Sequence, residues 1–135
     1  MHHVGVAVRD LGPALSLYET LFGYRLLSGP YEDPIQQVIV AFVGNGASSG
    51  ETVLELVAPA GGLSPIAGVL KKEIGAYHVC YAVDDLEAAL ERARSSGCLV
   101  LGAPVPAVAF GGRRIAWLYL PTRQLVELLE APGGA

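Results

Sequence analysis

Charge and sulfur are scarce in this chain. Of its 135 residues only nine are Lys or Arg, set against thirteen Asp or Glu, and the net charge is −4. No basic run occurs, so the electrostatic footprint of a nucleic-acid partner is missing. Cys80 and Cys98 are the two cysteines, and they share no metal-type spacing. They suit buried thiols in a reducing cytosol, so a cytoplasmic location is expected. Long apolar runs are absent too: none reaches the roughly 20 residues that span a bilayer. The first residues show no charged segment leading into an apolar one, so neither a signal peptide nor a membrane partner is expected. Hydrophobic residues make up 52% of the chain, which argues against disorder, and the length suits one domain with a real core.

What is present is a repeat. His3-Val4-Gly5-Val6-Ala7-Val8-Arg9-Asp10-Leu11 returns as His78-Val79-Cys80-Tyr81-Ala82-Val83-Asp84-Asp85-Leu86, with six of nine positions identical. Val53-Leu54-Glu55-Leu56 returns as Leu125-Val126-Glu127-Leu128. Two modules, about 1–60 and 76–132, joined by a linker at 61–75, are therefore expected within one domain spanning 1–135.

Each module reads strand–helix–strand–strand–strand. Residues 2–8 alternate, with His3, Gly5 and Ala7 on one face and Val4, Val6 and Val8 on the other. Asp10 is placed to cap a helix with Pro13 in its first turn, an apolar stripe of Ala14, Leu15, Tyr18, Leu21 and Phe22, and Gly23 at its end. Strands are predicted at 25–28, 37–43 and 52–58, the last two separated by the Gly/Asn/Ser-rich turn 44–50. In the linker, Ser64 and Pro65 open a short helix over 66–74 that Gly75 closes. The second module repeats the plan. A strand covers 77–83, and Asp84 or Asp85 caps a helix with the stripe Leu86, Ala89, Leu90 and Ala93. Gly97 stops that helix, and strands follow at 99–101, 114–120 and 124–129. Gly111-Gly112 reads as a hairpin turn. The fold class is α+β: two tandem βαβββ modules forming an incomplete barrel around a cleft.

The chemistry sits in the repeated polar residues. Glu55 shares a strand face with Val53 and Val57, and Glu127 with Leu125 and Leu129. A carboxylate within such a run must face water, meet a cation or bind a metal. Because each Glu holds the same place relative to its His, two His and two Glu related by a pseudo-twofold can converge. A mixed nitrogen and oxygen set fits one divalent ion such as Ni, Co, Zn, Fe or Mn, with two positions left open. His2 faces the valine side and lacks a partner in the second copy, so it is read as an ordinary strand histidine. Glu130 also lacks a counterpart and reads as surface. Trp117 and Phe110 suit the core better than a pocket wall. Arg113, Arg114 and Arg123 read as solvated, with the alternative that they meet the anionic tail of a CoA or glutathione substrate.

Together these residues resemble the vicinal oxygen chelate superfamily, which includes glyoxalase I, methylmalonyl-CoA epimerase, bleomycin-resistance proteins and extradiol dioxygenases. The resemblance covers essentially the whole chain. It is carried by residues 3–8, by Tyr18 and Phe22-Gly23, by Glu55, by His78 ahead of Val83-Asp84-Asp85, and by Glu127. It implies paired βαβββ modules, the metal ligands His3, Glu55, His78 and Glu127, and a homodimer. It also implies proton abstraction next to a carbonyl through a metal-chelated enediolate. Glu127 is then the first choice for catalytic base, with Glu55 as acid or second base.

Within the superfamily, Ser64-Pro65-Ile66-Ala67 and Pro59 are similar to the epimerase pattern. Pro59 and Ala7 stand where classic glyoxalase I has Asn and Arg. Departures from the epimerase pattern are the short turn 121–124, Tyr77-His78 in place of a His pair, and the absence of a Glu near position 40. The reading is therefore a metal-dependent epimerase or isomerase acting on a small-molecule substrate, an acyl-CoA. A glyoxalase I-like lactoylglutathione lyase acting on a thiol hemithioacetal is the alternative. A metal-free binding protein of the bleomycin-resistance type is the non-enzymatic one. An extradiol dioxygenase would need further catalytic histidines, and only His2 is spare.

Overall fold

The computed structural model describes residues 1–46, 51–62 and 64–132. Most of the predicted turn at 44–50, and Leu63 just before the linker helix, lie outside the described residues. The chain forms two compact units, one of His3–Tyr77 and the other of Met1–His2 with His78 onward. They are called the first and second unit below. The architecture is α+β and rich in sheet, as expected. No helix among the described residues is long and apolar enough to cross a membrane.

In the first unit the order is β1 (His3–Ala7), α1 (Leu11–Phe22), β2 (Arg25–Asp33), β3 (Val38–Gly44), β4 (Leu54–Pro59) and α2 (Ile66–Lys71). The strands lie side by side as β2-β3-β4-β1, an open sheet in which β1 runs parallel to β4 and the other pairs are antiparallel. One face is apolar because the chain alternates: Leu11 and Ala14 of α1 pack on Ala41, Val43, Leu56 and Ala58. The register puts Gly5, Glu55 and Phe42 in one row across β1, β4 and β3, pointing away from α1.

β2 runs well past its predicted end at Ser28. Gly29-Pro30 follows that end, but an edge strand tolerates a proline, and β2 accommodates it with register shifts. Gly29 sits at φ 94°, and a Cβ there would lie 2.9 Å from the Val40 carbonyl oxygen, so only glycine fits.

The second unit repeats the order with β5 (Ala76–Val83), α3 (Leu86–Ser95), β6 (Leu99–Val100), β7 (Val105–Pro106), a 3-10 helix (Val108–Phe110), β8 (Arg114–Tyr119) and β9 (Leu125–Glu130). Its open sheet is ordered β5-β9-β8-β6, with β7 also paired to β8 and β5 parallel to β9. Leu86, Ala89 and Leu90 of α3 cover Ala116, Leu118, Val126 and Leu128. The other face holds Cys80, Ala107, Ile115 and Leu129. β7 and the 3-10 helix were not predicted, because two strand residues and one turn carry no readable period. Gly111 and Gly112 do lie in the β7–β8 connection, both at positive φ.

The helix ends separate correct from incorrect expectations. Gly23 and Gly97 take the left-handed position after α1 and α3, as expected. The Asp85 side chain caps α3 by accepting from the Ala88 N–H, whereas Asp10 occupies the cap position of α1 without a side-chain bond. Ser64 does not cap α2: its hydroxyl is buried without a hydrogen-bond partner among the described residues, and its carbonyl accepts from Ala67. Nor does Gly75 close that helix. α2 stops at Lys71, and Glu73 takes the left-handed position at φ 58°. The Glu73 N–H bonds Leu70 and the Ile74 N–H bonds Val69, which forms a Schellman motif one turn early. Glu73 is exposed, so Glu73→Gly removes backbone strain and no packing. It is expected to raise stability by about 1 kcal/mol in chemical denaturation.

Candidate metal centre

The repeat delivers one His and one Glu to the same place in each unit. His3 opens β1 and its side chain is completely buried. Glu55 on β4 stands across from Gly5, two residues further along β1, and faces away from α1. His3 Nε2 lies 3.4 Å from Glu55 Oε1. In the second unit His78 is on β5, and Glu127 on β9 stands across from Cys80, again two residues further along. His78 Nε2 lies 3.8 Å from Glu127 Oε1, with both groups buried. Each imidazole also meets an aromatic ring edge-on. His3 meets Phe42 at 5.5 Å and 70°, and His78 meets Trp117 at 4.9 Å and 88°.

Such pairs suit a cation. A buried carboxylate needs a compensating charge or strong hydrogen bonds, and neither unit surrounds its Glu with Lys or Arg on the strands that carry it. Two donors each about 2.1 Å from one ion, at tetrahedral or octahedral angles, stand roughly 3.0–3.4 Å apart. The first pair matches that spacing and the second is slightly wider. Imidazole nitrogen with carboxylate oxygen is the donor mixture of zinc and of its first-row neighbours.

Other residues singled out in the sequence lie elsewhere. His2 is half-buried, its N–H bonded to the Cys80 carbonyl and its ring edge-on to Phe110. Phe110 packs with the Cys80–Leu129 cluster. Arg114 remains partly solvated, as expected, but its guanidinium is engaged within the chain: it donates two bonds to Glu87 and one to Glu130. Arg113 donates to the Glu130 carbonyl and lies over the Phe110 ring. Glu130 is thus an ion-pair partner with a largely buried side chain, not a plain surface residue. Sequence reasoning missed this network because its members come from α3, β8 and β9 and share no spacing. Arg123 is exposed in the turn before β9, at φ 72°.

The hydrogen bonds from Arg114 hold the Glu87 carboxyl below the ordinary carboxylate range and push the guanidinium further above its own. A depressed carboxyl contributes stability above its unfolded value and loses it as pH falls through the folded one. Arg114→Ala is expected to return Glu87 to the ordinary range, read by NMR titration of the side-chain carboxyl carbon.

Comparison with known proteins identifies the family. The family model for the Glyoxalase/Bleomycin resistance protein/Dioxygenase superfamily matches residues 2–117. The chain is 35% identical to an ethylmalonyl-CoA/methylmalonyl-CoA epimerase of Cereibacter sphaeroides, over 88% of this chain and 87% of that one. It is 33% identical to a lactoylglutathione lyase of Salmonella typhimurium, over 96% and 90%. The crystal structure of methylmalonyl-CoA epimerase from Mycobacterium tuberculosis superposes with a TM-score of 0.82 at 30% identity, over 97% of this chain and 87% of that one. The fold is that of the vicinal oxygen chelate proteins, and the chain belongs to the Glyoxalase/Bleomycin resistance protein/Dioxygenase superfamily.

Proposed function

We propose that the two units act as one glyoxalase-like domain, a metal-dependent epimerase acting on an acyl-CoA whose α-carbon carries an acidic proton. His3, Glu55, His78 and Glu127 together would hold one divalent ion. The observation that carries this reading is the recurrence of a buried His–Glu pair in both units, at 3.4 and 3.8 Å. The similarity to named epimerases supports the acyl-CoA. Such an ion would supply Lewis acidity at the substrate carbonyl.

The chain's own residues do the rest. Glu127 takes the proton from the α-carbon, and Glu55 returns one from the other side. Epimerisation needs a proton donor and an acceptor on opposite faces of a planar carbon, and a pseudo-twofold repeat offers one carboxylate for each. Burial keeps water from competing for the carbanion-like carbon. Gly5 and Ala7 present no bulky side chain on the sheet face that carries Glu55, because neither has one beyond Cβ.

The test begins with purification without added metal, mass-spectrometric counting of bound ions, and the same on His78→Ala. About one divalent ion per chain in the wild type and loss in the variant are expected. Loss of the α-proton signal of methylmalonyl-CoA in D2O then reads the chemistry. A wild-type chain that stays metal-free after soaking with Ni, Co and Zn would sink the reading and leave a binding protein. Turnover of the methylglyoxal–glutathione hemithioacetal without exchange in methylmalonyl-CoA would move the activity to the lyase branch, to which the chain is also similar.

A further inference from the structure

We infer that Trp117 is a positioning residue for the His78–Glu127 pair, its indole set edge-on to fix the imidazole plane that aims Nε2 at Glu127. The inference deepens the metal-site reading and rests on it for its consequence, though not for the contact itself. Trp117 on β8 stands directly across from Glu127 on β9, and both side chains leave the sheet on the face opposite α3. The last torsion of a histidine is broad, so the strand backbone alone does not set the ring plane. Neighbours must set it, and the indole lies 4.9 Å from the His78 ring at 88°. Rings prefer this perpendicular arrangement because the positive edge of one meets the negative face of the other.

The first unit makes the same choice with different atoms. Phe42 stands directly across from Glu55, and its ring lies 5.5 Å from that of His3 at 70°. The repeat thus keeps an aromatic across from each Glu and edge-on to each His, although Phe has become Trp. Trp117 also packs against the cluster of Cys80, Ala107, Ile115 and Leu129, as a core aromatic is expected to, but it is only half-buried there, and its ring meets the imidazole as well as the core. The whole chain contains one tryptophan, so its emission reports on this contact alone.

The test compares the full-length chain with Trp117→Phe, which keeps an aromatic edge, and Trp117→Leu, which does not. In chelator-treated protein, the imidazole nitrogen shifts of His78 are expected to show one tautomer in the wild type and in Trp117→Phe, and averaged tautomers in Trp117→Leu. In a cobalt titration with bound ion counted by mass spectrometry, Trp117→Leu is expected to lose about tenfold in affinity and Trp117→Phe to stay near wild type. In the wild type, tryptophan emission should fall in step with bound cobalt, since an open-shell ion held by His78 quenches at this range. Emission unmoved by bound cobalt overturns the inference without any variant. So does a Trp117→Leu chain with the wild-type tautomer and wild-type affinity. If the wild type binds no cobalt, the metal reading fails by itself, and the tautomer pattern alone decides whether Trp117 fixes the ring. Should Trp117→Leu not fold, Trp117→Met takes its place.

Discussion

Glu127→Gln should lower turnover by about 10²–10⁴-fold while leaving the chain folded and metal content close to wild type. The amide has the same shape as the carboxylate and enters the same buried slot across from Cys80 and Trp117. It keeps an oxygen that can face a cation, but it has no lone pair basic enough to accept a carbon-bound proton. Removing charge from a buried position without changing volume should move the melting temperature by only a few degrees. The variant therefore separates chemistry from folding, which His78→Ala does not. The measurement is kcat on methylmalonyl-CoA beside ion content by mass spectrometry. In Glu55→Gln, a two-base mechanism predicts exchange of solvent deuterium that persists from one epimer and fails from the other. Full activity in Glu127→Gln would remove that carboxylate from the mechanism.

The largest expected effect on stability comes from the opposite face of the same kind of strand. Leu56 follows Glu55 directly, so alternation turns it toward α1, where it has no exposed surface. It packs in the cluster with Leu11, Ala14, Ala41, Val43 and Ala58, where alanines already fill the small spaces. Leu56→Ala leaves a cavity that backbone on both sides keeps from collapsing. It should cost about 2–5 kcal/mol in denaturant unfolding, a large share of the roughly 5–15 kcal/mol that holds a domain together. A midpoint shift equivalent to less than about 1 kcal/mol would mean that α1 does not pack on this strand. In the folded fraction, metal content should be unchanged, because Glu55 and Val57 face away from the cavity.

The two effects show how much one strand encodes. Alternation at 53–57 places Glu55 and Leu56 on opposite sides, and the repeat at 125–129 does the same for Glu127 and Leu128. That pattern, with the paired His3 and His78, made the modules, their element order and the grouping of each His with its own Glu legible in the sequence. The family assignment followed from the same residues.

Less was legible wherever local signals compete with pairing partners far along the chain. The strand predicted to end at Ser28 continues through Gly29-Pro30, because β3 pairs with β2 on both sides of it. Ser64 spells a helix cap, yet its hydroxyl is buried where no backbone N–H of the described residues meets it. Gly75 spells a helix end, yet hydrogen bonding to Leu70 and Val69 closes the helix at Glu73. Arg114 reads as a solvated cation, yet Glu87 and Glu130, 27 and 16 residues away in sequence, accept its hydrogen bonds.

By itself, the sequence determined the α+β class, the repeated order of elements, the apolar faces under both helices and the four polar residues worth testing. Periodicity and repetition are local properties, and they carry that information because side chains alternate along a strand whatever lies beyond it. Only the tertiary structure decided that Phe42 and Trp117 stand across from the two carboxylates, edge-on to the imidazoles, and that Arg113 and Arg114 are occupied within the chain. Those contacts depend on strand register and ring orientation, and both are set by packing between segments that do not neighbour one another in the chain.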